Sequence, residues 1–397
     1  MPTVLHVTPY LHPSAGGPVV VVLEYARHQA AAGFRAPILT TDWYSAGGAT
    51  ECVERYGSRF DLTVLETGGS YLQTLRVRHR AQVHAAVEAA DIVHVHGLWH
   101  APGALAMGAA GRLGRPYVVS PHGMLDPWSL AQGRWKKRLY LGLLERRNLG
   151  RAACLLFTTE DERRLAAETV GLQGRAEVVL LGADDPPTSD RDALRAEALR
   201  RFPALRGRRP ILFFGWLHEK KRLLETVRMF REVHAMMGET MLLVVGDGDP
   251  AYVGRVRAEV ERLGLTGDVL FTGLLEGRDK WAAISAAEVF VLPSRQENFA
   301  LVVAEVMKAG VPVVVSDRVN LAPHLQGADA GRVLPLEPLD RWVQTLVELL
   351  QNETEIRALA ERGRRLALAE FDWGGSARRV AAIYDDLLGR RVDGEKA

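Results

Sequence analysis

The sequence predicts an α/β fold made of two doubly wound halves, one following the other, and three observations carry that expectation. Short apolar, β-branched runs alternate with longer amphipathic stretches, the pattern of a parallel sheet with helices on both faces. The alternation breaks near Asp184, at DDPPTSDRD, and then restarts. The chain has 397 residues, and cores tend to split beyond about 250–300.

In the first half, strands are expected at 3–7, 37–41, 62–65, 92–96, 117–120, 154–158 and 178–181. These runs are rich in Val, Ile, Leu and Thr, as strands covered on both faces must be. Helical periodicity falls at 19–32, 82–89, 101–110 and about 133–149, the first stretch entered through a glycine turn. In the second half, strands are expected at 211–214, 241–245, 269–271, 289–293 and 312–316. Helices are expected at 223–236, 253–263, 278–287 and from about 299. Open parallel sheets bind ligands beyond the carboxyl ends of their strands, so two facing sheets would enclose a deep interdomain cleft.

Composition narrows the function classes. A hydrophobic content of 47% with 25% charged residues is that of a soluble globular protein. A formal net charge of +2 gives no reason to expect a nucleic-acid partner. Cys52 and Cys154 lack metal-ligand spacing and suggest neither a disulfide framework nor a metal site. The segment MPTVLHVTPY has no signal-peptide pattern, and no apolar run reaches about 18 residues, so a cytoplasmic protein is expected. Neither half has a G-x-G-x-x-G turn after its first strand, which disfavours a dinucleotide oxidoreductase.

The stretch SRQENFALVVAE, 294–305, places Glu297 in a strand-to-helix loop and Glu305 inside the following helix. The two are separated by roughly 9–12 Å at 1.5 Å per residue. The helix N-terminus between them is a ready anion site. Two carboxylates flanking a phosphate site could hold hydroxyls on either side, as a sugar, a diphosphate and a ribose would require. Solvated acidic residues of a first turn give the same spacing.

Six ordered segments decide between these readings. Glu297 to Glu305 resembles the E-x7-E motif of the retaining, nucleotide-sugar-dependent glycosyltransferases of family 4, which have the GT-B fold. SAGGPVVVVLEYARHQAAAGF looks like their glycine turn and first helix. DIVHVHGLW and YVVSPHGMLDPW are similar to segments facing the acceptor and reaction centre. FFGWLHEKKRL resembles the segment carrying a basic pair, LLVVGDGD the strand and turn after it, and FDWGGSARRVAAIYDDLL the terminal helix. The resemblance implies an acceptor-side domain over 1–185, a donor-binding domain over 186–373, and a helix at about 374–390 that returns to the first.

It also implies roles. Glu297 would bind donor-sugar hydroxyls and Glu305 the ribose, while the backbone N–H groups of Phe299, Ala300 and Leu301 cradle a phosphate. Gly16 and Gly17 would let their loop approach the diphosphate. Lys221 would neutralise the leaving group and His122 would stand near the anomeric carbon. His96, Trp99 and Asp126 fall on the acceptor side, although strand packing also accounts for His94 and His96, and a loop end for Asp126 and Trp128. No metal or other cofactor is expected, because Lys221 and a helix terminus can carry the charge.

Two positions depart from the pattern. Trp216 stands where an arginine usually shares the diphosphate charge, leaving Lys220 or Arg222 to compensate. Ala300 stands where glycine is common, and its methyl should matter little if the backbone there is helical.

RWKKRLYLGLLERRNLGR, 134–151, has seven basic residues and one acid among its leucines. Such a helix either packs its leucines inward or lies on anionic lipid. The implied partners are thus a nucleotide-sugar donor, a saccharide, lipid-linked or metabolite acceptor, and a peripheral membrane contact at the inner face. The expected function is retaining hexosyl transfer in bacterial polysaccharide or glycoconjugate synthesis. The alternatives are a nucleotide-sugar epimerase of similar build and a non-catalytic nucleotide-sugar binder.

Overall fold

The computed structural model describes residues 1–12, 16–43, 47–55, 60–68, 70 and 72–390. The chain divides into two compact units: Met1–Leu181 with the stretch beginning at Trp373, and Gly182–Asp372.

The first unit is built on β1 (Val4–Val7), β2 (Ile38–Thr41), β3 (Leu62–Leu65), β4 (Ile92–His96), β5 (Tyr117–Ser120), β6 (Cys154–Phe157) and β7 (Ala176–Val178). These strands are all parallel, in the order β3-β2-β1-β4-β5-β6-β7. Alternation divides the sheet's residues between two faces. Leu5, Val7, Val93 and Val95 enter one apolar core, which His6, His94 and His96 do not join. The histidines meet side chains of helices Gly17–Ala31 and Trp373–Leu387 instead.

The second unit has β8 (Arg209–Phe214), β9 (Thr240–Val245), β10 (Val269–Gly273), β11 (Val289–Leu292), β12 (Val313–Ser316) and β13 (Arg332–Leu334). They too are parallel, in the order β10-β9-β8-β11-β12-β13. Strand order reverses between β1 and β4 in one sheet and between β8 and β11 in the other. At such reversals successive crossovers leave in opposite directions and open a crevice.

The strand expected at 178–181 lies earlier, because the ladder pairs Leu155, Leu156 and Phe157 with Ala176, Glu177 and Val178. As an edge strand it is half-buried and accommodates Glu177, whereas VVLL past it only looks like a strand core. The helix expected at 133–149 is Arg134–Tyr140, a π-helical turn at Leu141–Glu145, and Arg146–Arg151.

Candidate functional site

In the second unit Lys221 and Glu297 come together at the β8/β11 reversal. Lys221 ends the short turn after β8 and Glu297 lies in the loop after β11. That loop is anchored to the stretch after β12: Glu297 N–H donates to Arg318 O at 3.1 Å, and Asn320 N–H to Glu297 O at 3.0 Å. The Glu297 carboxylate, in a residue only 7% exposed, accepts from Lys221 Nζ at 2.8 Å and Ser294 Oγ at 3.1 Å. Burial alone would raise its pKa, but Lys221 and Lys220 outweigh burial and hold it below the usual carboxylate value.

Glycines let these loops close up. A Cβ on Gly246 would stand 2.0 Å from Gly215 O, and one on Gly248 2.0 Å from Leu217 O. GDGD thus forms a turn under the β8 loop: Asp249 caps helix Pro250–Arg262 through Tyr252 N–H, and Asp247 accepts from Gly248 N–H. A Cβ on Gly215 would meet Lys221 Cε and Nζ at 3.4 Å, so the ammonium lies against bare backbone.

The structure settles which cation accompanies Lys221. Lys220 Nζ is 3.9 Å from Glu297 Oε2. Arg222 is buried and turned away, donating to Leu336 O at 2.9 Å and pairing with Glu337 and Glu225. Its φ of 59° is left-handed. Trp216 is half-exposed, at 46%.

Ala300 corrects a sequence expectation. It is not helical: it precedes helix Leu301–Lys308 with φ 60° and ψ 65°, a left-handed conformation that costs an L-residue roughly 1–2 kcal/mol. The chain needs that geometry to turn from the Glu297 loop into the helix. Phe299 is buried edge-on against Phe371, with ring centroids 5.4 Å apart. Glu305, on the helix, is met by Lys280 Nζ at 2.9 Å, and that ammonium also lies 3.7 Å from Asp184. Lys280 was not anticipated, since nothing in its local sequence marks it.

In the first unit, Gly16 caps helix Gly17–Ala31 with φ 73° and ψ −150°, a region essentially reserved for glycine. Gly17 is simply the first helical residue. Ser14 and Ala15 of the matching segment lie outside the described residues. Asp126 caps helix Pro127–Ala131, accepting from Trp128 N–H at 2.8 Å. Trp99 has φ 65°, donates its N–H to Glu145 Oε1 at 3.3 Å, and meets Tyr140 edge-on. Burial pushes Glu145 up to about 7.

His122 follows β5 with φ 51°. Its Nε2 lies 3.1 Å from His96 Nδ1, and His96 Nε2 is 2.9 Å from His6 Nδ1. His6, His94 and His96 place ring nitrogens within 4.8 Å of one another. Burial holds His6 and His122 near 4, and His94 and His96 well below their usual value, so all four are neutral at pH 7.

Glu162 is a second residue missed from sequence. It takes Gly123 N–H at 2.6 Å and both Thr158 N–H and Thr158 Oγ1 at 2.7 Å, pinning the loop that carries His122. Thr159 Oγ1 caps its helix by accepting from Glu162 N–H at 3.1 Å. The T-x-x-E capping pattern at 159–162 was the available signal.

The basic helix divides its apolar residues. Leu149 is buried and Leu141 packs on the core, but Trp135, Leu139 and Leu144 are 81%, 64% and 45% exposed. Inward packing therefore does not account for all the leucines, and the Leu143 side chain lies outside those described.

The two doubly wound sheets carry, at their reversal points, a buried lysine–glutamate pair in one and a glycine-capped helix in the other. Comparison with known proteins makes this specific. Residues 16–182 match the family model "Glycosyl transferase 4-like domain", and residues 208–352 match "Glycosyl transferases group 1". GDP-mannose:cellobiosyl-diphosphopolyprenol alpha-mannosyltransferase of Xanthomonas oryzae pv. oryzae is 27% identical over 97% of this chain and 97% of its own length. The 2-deoxystreptamine glucosyltransferase of Streptomyces kanamyceticus is 29% identical over 76% and 79%. Sucrose-phosphate synthase from Thermosynechococcus elongatus shares the fold with a TM-score of 0.75, at 21% identity, over 98% and 100%. The chain is a glycosyltransferase of GT-B fold. The epimerase and non-catalytic readings find no support among these matches.

Proposed function

We propose that this glycosyltransferase is a retaining enzyme of family 4 that moves a hexose, mannose from GDP-mannose first among the candidates, to a hydroxyl of a saccharide carried on a lipid diphosphate. The observation that carries this reading is the Lys221–Glu297 pair, with Lys220 beside it and bare glycine backbone around it. A diphosphate set against that backbone meets two ammonium groups where charge grows as the glycosidic bond breaks. Lysines supply that charge in place of a metal. Glu297, held ionised, accepts from sugar hydroxyls, and Glu305 from the ribose. The N–H groups of Phe299, Ala300 and Leu301 receive a phosphate.

In the reaction, the bond from the anomeric carbon to the diphosphate oxygen breaks. A new bond forms to the acceptor oxygen on the same face, and the departing diphosphate takes the acceptor's proton. From the resemblance to the family, His122, Gly16 and Gly17 would serve the sugar transfer, and His96, Trp99 and Asp126 the acceptor.

The choice of GDP-mannose and a lipid-linked acceptor follows the end-to-end likeness to the Xanthomonas enzyme. The exposed Trp135, Leu139 and Leu144 on a segment with seven basic residues and one acid suit an anionic membrane. The reading places the enzyme at the cytoplasmic face. It is tested by supplying polyprenyl-diphosphate oligosaccharide and the 2-deoxystreptamine aminocyclitol with GDP-mannose, UDP-glucose and other common donors. Mannosylated lipid with retained anomeric configuration is expected. Turnover with the soluble acceptor alone, or product of inverted configuration, would remove it.

A further inference from the structure

The ring nitrogens of the histidine cluster have a direction, and it can be followed from one end. Gln29 Nε2 donates to Tyr384 OH at 3.2 Å, leaving Gln29 Oε1, an obligate acceptor, 2.7 Å from His6 Nε2. His6 therefore carries its proton on Nε2 and accepts at Nδ1. His96 Nε2, at 2.9 Å, must donate there, which bares His96 Nδ1. His122 Nε2, at 3.1 Å, must then donate to His96 Nδ1. The second branch agrees: Tyr384 OH, accepting from Gln29, donates to His94 Nδ1 at 2.6 Å, and His94 Nε2–H donates to Ser120 Oγ at 2.8 Å.

We infer that Gln29 and Tyr384 are positioning residues that fix His122 as the Nε2–H tautomer, so that it offers a bare Nδ1 lone pair to a donating hydroxyl of a bound saccharide. The hydroxyl's identity as a saccharide group rests on the proposed function; the tautomer does not. Burial of the rings keeps each one neutral, so no second proton blurs the direction. The reverse polarity of the same chain is also complete, but it requires the Gln29 amide to turn over and makes His122 Nδ1 a donor. One amide nearly a hundred residues away in sequence thus sets what the loop presents. A metal among His6, His94 and His96 fits less well. Both nitrogens of His94 are engaged, and the 2.9 Å between His6 and His96 is a hydrogen-bond distance.

The test is ¹⁵N NMR of histidine-labelled full-length protein at pH 7.5, with the His122 signals identified by their loss in His122→Asn. A neutral Nε2–H pattern at His122, His96 and His6 is expected, and Gln29→Leu should turn the His122 signal into a mixture or the Nδ1–H form. Should Gln29→Leu not fold, Tyr384→Phe, which frees the amide to turn, is expected to give the same mixture. Nδ1–H at His122 in the parent protein would overturn the inference, as would a single unchanged tautomer in the folded variant. So would tight stoichiometric zinc binding that shifts all three cluster histidines. Since no substrate enters this measurement, its failure is distinct from failure of the transferase assay.

Discussion

Lys221 Nζ lies 2.8 Å from Glu297 Oε1, and the two groups arrive from opposite sides of the strand-order reversal, one after β8 and one after β11. Lys221 holds the carboxylate ionised in a nearly closed environment. Lys221→Ala is expected to lower kcat about 10²–10³-fold, the scale for losing one group that stabilises developing charge. It should also cost up to about 3–5 kcal/mol of stability, since a buried carboxylate loses its partner. Kinetics beside thermal unfolding separate the two effects. Lys220→Ala, at the 3.9 Å position, should cost far less of both.

Ala300 offers a gain. Ala300→Gly relieves a left-handed alanine, while the glycine adds freedom to the unfolded chain, so a net stabilisation of up to about 1 kcal/mol is expected. Thermal unfolding should show it as a rise of a few degrees. An unchanged or lower midpoint would mean that the loop is not strained there.

Glu162→Gln keeps the shape of the clamp on Gly123 but can no longer accept every donor with a charged oxygen. A loss of about 1–3 kcal/mol in stability is expected. Because the His122 loop hangs from this bond, kcat should fall more than donor KM rises. A rise in donor KM with kcat unchanged would place the effect on binding alone.

Acid should unfold the first unit steeply. His6, His100 and His122 are pushed down to about 4, and His94 and His96 well below their usual value, all chiefly by burial. Their stabilising contribution is fully present above the unfolded value of about 6.5 and is lost as pH falls toward 4. Unfolding near pH 5.5 then takes up roughly one proton per cluster histidine, so the unfolding midpoint should drop sharply there. His6→Asn should flatten part of that slope.

Glu145 acts in the opposite sense. Its pKa is raised to about 7 by burial, so the preference for its neutral form is intact below about 4.5 and is lost as pH rises to 7. Glu145→Gln should leave acid stability unchanged and gain roughly 3 kcal/mol above pH 8. Against five histidines its single contribution does not reverse the acid transition.

Most strands and the positions of Lys221 and Glu297 were legible, because buried parallel strands are short apolar runs and ligand loops follow their carboxyl ends. Ala300 was misread because a dihedral set by the turn into a helix leaves no mark on the residues beside it. Arg222 reads from sequence as a compensating cation equal to Lys220, since the partners that turn it away, Leu336 and Glu337, lie more than a hundred residues along the chain. Lys280 beside Glu305, and Gln29 beside His6, are lateral contacts between elements with no local signature. What periodicity gives is a face; it does not give that face's neighbour.

Tyr384 and Ser376, which bond to His94 and to Tyr25, sit on the helix Trp373–Leu387. The polar interior of the unit that begins at Met1 is therefore finished by residues that leave the ribosome only after all of Gly182–Asp372. During synthesis the first unit must wait, its histidines without a lid, while all of Gly182–Asp372 is made. A nascent chain halted before Trp373 should yield a protease-resistant second unit and a digestible first one, so of the two units the one translated first matures second.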